Sequence, residues 1–133
     1  MTRLLFIVSA IYLAAIGLSL LIVPVQFGVN AVPEDASSEL ISLLRLLKGP
    51  FLGIATLNWL SRDAQPSAAR DTVVLANLVG FGVVAANDVA GVLTGNARDL
   101  AAVFLVVHVS FAIAFLIAWS DRSRRSTDGA TAG

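Results

Sequence analysis

The chain has 133 residues, of which 57% are hydrophobic and 14% charged, and its mean hydropathy is +0.85. Soluble domains carry nearer a quarter charged residues, so the composition excludes an ordinary soluble fold and points to a membrane protein. Nine basic residues balance nine acidic ones, which removes a general pull toward nucleic acid, and the lack of cysteine removes disulfides, thiolate metal sites and thiol catalysis.

Four apolar segments follow one another, each long enough to cross a bilayer as a helix. The first runs from Leu4 to Val23. Its apolar part is too long for a signal-peptide core, and Ile22-Val23-Pro24-Val25-Gln26 lacks a small-x-small cleavage pattern, so it is read as a retained span. Pro33-Glu34-Asp35-Ala36-Ser37-Ser38 then predicts a turn and a helix start before the second span, Leu40 to Leu60. Pro50 inside that span cannot donate to the carbonyl of Leu46 and crowds it. The helix should bend or loosen there and free backbone carbonyls beside Lys48. Gly49 and Gly53, with Gly80, Gly82 and Gly91 on the third span, predict close helix contacts.

After a connection from Ser61 to Asp71 comes the third span, Thr72 to Leu93, which holds Asn77, Asn87 and Asp88. Gly95-Asn96 predicts a turn into the fourth, Leu100 to Trp119, where His108 shares a helix face with Phe104, Phe111 and Phe115. Beyond Asp121 the residues are small and polar. The expected organisation is one all-α four-helix transmembrane bundle over 1–121 and a disordered tail over 122–133.

Four crossings place both termini and the second loop on one side, with Arg3, Arg62, Arg70, Arg122, Arg124 and Arg125; the other side has only Arg98 outside the spans. Arginine accumulates in the cytoplasm, so both termini are expected there, in an inner or plasma membrane. Glu34, Asp35, Glu39 and Asp99 then form an acidic outer rim, while Trp59 and Trp119 anchor the cytoplasmic helix ends.

A depth count puts Arg45, Lys48, Asp88, His108 and Tyr12 within the outer half of the membrane. Ionisable groups there are costly and need partners or ligands. A pocket lined by Tyr12, Arg45, Lys48, Asn87, Asp88 and His108 is expected, with Asp88 near Arg45 or Lys48 and one cation left for a polar ligand. Lys48, deepest of the charges, is ranked above His108 for binding. An Asp88 ion pair can equally serve only to tie helices together, and a lone histidine among aromatic rings is commonly a satisfied interior residue.

No metal-binding His-x-x-x-His, carboxylate pair at helical spacing within a span, phosphate loop or nucleophile elbow is present, which argues against a hydrolase or metal enzyme. The first span lacks the acidic residue of the small drug-proton antiporters, and the lone histidine lacks a partner for axial haem ligation.

The helix-two segment Leu44-Arg45-Leu46-Leu47-Lys48-Gly49-Pro50-Phe51-Leu52-Gly53-Ile54-Ala55, together with length and topology, resembles the DoxX-like group of small bacterial four-helix membrane proteins. Lys48 and Pro50 are not matched features of that group. The resemblance implies quinone-linked sulfur oxidation or an accessory role in a membrane redox assembly. The expected function is binding of a small lipophilic ligand, quinone or lipid, by a homo-oligomer or a subunit of a larger complex. The alternatives are a small transporter or flippase using Asp88, and a purely structural subunit.

Overall fold

The computed structural model describes residues 2–28, 32–95 and 100–131, with 123–131 described by backbone alone. Met1 and the predicted turn and rim residues Asn96, Arg98 and Asp99 lie outside the described residues. All regular structure among the described residues is helical: α1 (Thr2–Ile22), α2 (Pro24–Phe27), α3 (Ser38–Leu46), α4 (Lys48–Ser61), α5 (Ala68–Thr94) and α6 (Ala101–Thr131). Four segments are long and apolar enough to cross a membrane: Thr2–Ile22, Ser38–Ser61, Ala68–Thr94 and Ala101–Arg122. Leu60, Val83, Leu93 and Val106 are among the large apolar side chains left exposed, as expected of helices that turn a face to lipid. The backbone of α6 is helical to Thr131.

The described chain forms two compact units, residues 6–62 and residues 1–5 with 63–133. In the first, Gly17 of α1 lets α4 approach closely. A Cβ at this position would lie 2.9 Å from Leu52 Cγ and 3.3 Å from Phe51 Cβ. The same packing buries a polar relay completely: Asn58 Nδ2 donates to Ser9 Oγ at 3.0 Å, and Ser9 Oγ donates to the Phe6 carbonyl at 3.2 Å. Four of the glycines singled out from spacing behave otherwise. A Cβ at Gly49, Gly53, Gly80 or Gly82 would meet nothing within 4 Å, so the close approach is at Gly17, whose neighbours on α1 are too ordinary to advertise it.

The second predicted span is broken at Leu47, which separates α3 from α4. Pro50 then falls in the first turn of α4, where a helix needs no internal N–H donor, so the break one turn upstream resolves the clash that proline would cause inside a continuous helix. Ser37 caps α3, its Oγ accepting from Leu40 N at 3.3 Å.

In the second unit α5 and α6 pack against each other as an antiparallel hairpin. Ser67 caps α5 by accepting from Arg70 N at 3.3 Å, and Gly95 ends it at φ 71°, a left-handed conformation natural to glycine. The packed stripe of α5 is Val73, Val74, Asn77, Phe81 and Ala85, with spacings of three and four residues, and Asn77 Nδ2 donates to the Val73 carbonyl at 2.9 Å. Opposite it on α6 lie Phe104, His108, Phe111 and the fully buried Phe115.

Candidate functional site

Asp88 and His108 meet across the α5–α6 hairpin. Asp88 lies about 9 Å from the Thr94 end of α5 and His108 about 10 Å from the Ala101 end of α6, at ~1.5 Å rise per residue. Antiparallel helices joined by a short connection bring such residues to one level. His108 Nδ1 stands 2.5 Å from Asp88 Oδ2, and the two side chains retain only 12% and 17% of their exposure. With the carboxylate ionised, Nδ1–H donates to it, which fixes the tautomer and orientation of the ring and leaves Nε2 to carry the ring's remaining hydrogen-bonding capacity.

Aromatic rings surround the imidazole. Phe104 stacks at 5.9 Å between centroids and Phe81 lies tilted at 6.2 Å. Phe81 in turn stacks on Phe111 at 4.5 Å and on Phe115 at 5.8 Å. The result is an oriented, polar side-chain pair set in a flat aromatic wall within apolar helices, chemistry suited to a planar molecule that exchanges hydrogen bonds through one edge.

The opposite end of the hairpin is held by an ionic contact, Arg122 Nε to Asp71 Oδ2 at 3.1 Å, with the Arg122 guanidinium 4.1 Å above the Trp119 ring. Some 21–26 Å of helix separates this contact from Asp88–His108, somewhat less than the ~30 Å hydrocarbon core, so the pair falls short of the far boundary rather than at it. In the other unit Arg62 lies 4.2 Å over Trp59 and donates to the Trp59 carbonyl, repeating the arrangement of a tryptophan followed three residues later by arginine at a span end. Arg3 Nε donates to Asp63 Oδ1 at 2.7 Å in the unit containing α5 and α6.

Of the residues picked from sequence, Asp88 and His108 are in contact. Asn87 follows α5 about 100° away from Asp88 and is exposed, so it is not on the paired face. Tyr12, Arg45 and Lys48 belong to the unit of residues 6–62. There Tyr12 is half-buried on α1, Arg45 is exposed in the last turn of α3, and Lys48 is half-buried at the start of α4. Within its own hairpin, Asp88 meets His108. Phe81, central to the aromatic wall, is the residue that sequence reasoning passed over; its place on the Asn77-Phe81-Ala85 stripe was the available signal. No group of three or more His, Asp or Glu side chains placed to hold a metal ion occurs among the described residues.

No protein-family model matches the chain, and no curated protein or solved structure matches it at a significant level.

Proposed function

We propose that the protein is a multi-pass component of the inner (plasma) membrane, with both termini cytoplasmic, that binds a small lipophilic molecule through Asp88 and His108. The ligand class is a quinone or a similarly planar, carbonyl-bearing lipid. The observation that carries this reading is the 2.5 Å His108–Asp88 contact among Phe81, Phe104 and Phe111. A carboxylate that orients an imidazole defines which ring nitrogen meets a ligand, and the rings beside it supply a stacking surface. The arginines at the Trp59 and Trp119 span ends support the orientation. The DoxX-like likeness of residues 44–55 supports an accessory role beside a membrane redox complex, and oligomerisation belongs to the same proposal.

The contact also supports placing His108 ahead of Lys48 as the binding residue. The test is mass spectrometry of an organic extract from protein purified out of native membranes in mild detergent. One lipophilic species should accompany the parent and Lys48→Met and be lost from His108→Phe. Its loss from Lys48→Met alone, with full recovery from His108→Phe, would contradict the proposal.

A further inference from the structure

The apolar segment Ser38–Ser61 carries three charged side chains, Glu39, Arg45 and Lys48, all within the unit of residues 6–62. Glu39 sits in the first turn of α3, six residues and ~9 Å of helix rise from Arg45. Among the described residues neither Arg45 nor Lys48 has a salt-bridge partner or a side-chain hydrogen bond. Two cations in an apolar span are costly without a counter-charge, so this pair calls for an anion from outside the unit.

The local backbone brings the two cations together. Arg45 ends the last turn of α3 and Lys48 opens α4, and Leu47 between them keeps right-handed helical angles, φ −60° and ψ −20°. Residues three apart on such a backbone share one side of the helix. Arg45 lies ~10 Å and Lys48 ~15 Å from the Ser38 end, and helical side chains lean toward the N-terminus, so both stems lean toward that end of the span. Arg45 is exposed and Lys48 half-buried. No residue of α3 is buried, and Leu43, Leu46 and Leu47 are exposed beside the pair. Charged tips thus rise from a surface otherwise fit for acyl chains.

We infer that Arg45 and Lys48 together hold the phosphate of an anionic phospholipid in the leaflet at the Ser38 end, with its acyl chains along Leu43, Leu46 and Leu47. A guanidinium meets phosphate oxygens through paired N–H donors, and the ammonium adds a second, compact positive charge. A zwitterionic headgroup brings its own cation to repel the pair, so an anionic lipid is favoured. The inference rests on the reading of residues 38–61 as a membrane span. It holds whichever side of the membrane that end occupies and whatever binds at His108.

The experiment is native mass spectrometry of the full chain released from nanodiscs of equal phosphatidylglycerol and phosphatidylcholine. The parent should retain phosphatidylglycerol preferentially. Arg45→Gln and Lys48→Gln should each lower that retention about fivefold, as expected for one basic residue near a membrane surface, and the double variant should lower it further. Arg45→Lys, which keeps the charge, should keep most of it. Arg62→Gln removes an arginine at the other end of the same span and should leave retention at the parent level. Millimolar inorganic phosphate should not displace the lipid; displacement would overturn the lipid assignment and leave the pair a site for the free anion. Equal retention in the parent and the double variant, or an equal loss in Arg62→Gln, would overturn the inference. A parent that does not enter nanodiscs would refute the membrane span itself, whereas one that enters without preferring phosphatidylglycerol would refute this inference alone.

Discussion

The Asp88–His108 contact is open to a double-mutant cycle. Hydrogen bonds to charged groups are worth about 1.5–3 kcal/mol in soluble proteins, whereas interhelical polar contacts in membranes average about 0.6 and reach about 1.7 kcal/mol. A 2.5 Å charge-assisted contact between side chains 12% and 17% exposed belongs at the upper end of the membrane range. A coupling energy of about 1–2 kcal/mol is therefore expected between Asp88→Leu and His108→Phe. Each single replacement should cost about 1–3 kcal/mol, because it removes the contact and strands a polar group in apolar surroundings. The double variant should recover part of the loss, since a phenyl ring at 108 would join rings now 5.9 and 6.2 Å from the imidazole. Equilibrium unfolding in mixed micelles measures all four corners. Single effects that add to within about 0.5 kcal/mol would show that the two residues are not coupled and refute the reasoning.

Other parts of the fold give independent tests. Gly17→Val should destabilise by about 1–3 kcal/mol through overlap with Leu52, with partial recovery when Leu52→Ala is added; an unchanged unfolding midpoint would contradict the close α1–α4 approach. Asn58→Leu should cost about 0.5–2 kcal/mol by breaking the buried bond to Ser9, and a gain in stability would count against that relay. A cysteine at Ser37 should react with an impermeant thiol reagent on intact cells while one at Ser126 stays protected; the opposite pattern would reverse the proposed orientation.

The spans were legible because apolar length alone distinguishes a membrane helix. Leu40–Leu60 anticipates Ser38–Ser61, and Leu100–Trp119 anticipates Ala101–Arg122. The third helix starts at Ala68, ahead of the apolar run from Thr72, because Ala68 to Asp71 is too polar for such a run although Ser67 caps it as the first turn of α5. Pro50 announced an interruption, but its position at the start of a new helix follows from the break at Leu47, which no residue type marks. The site was legible as a set of costly residues: charge favours Arg45 or Lys48 for Asp88, and counting back from the turn on both arms also brings His108 level with Asp88. Whether two such residues face each other depends on helix rotation, set by the Phe81, Phe111 and Phe115 packing. Gly17 escaped notice for the same reason: its value lies in what Leu52 does across from it.

His108 is the only histidine in the chain, so selective nitrogen-15 labelling of histidine gives one imidazole in the magnetic resonance spectrum. In nanodiscs a proton is expected on Nδ1, held by Asp88, and a shift of the Nε2 resonance when a short-chain benzoquinone is added, abolished by Asp88→Leu. An imidazole protonated on Nε2 alone, or an Nε2 resonance indifferent to the quinone, would contradict it.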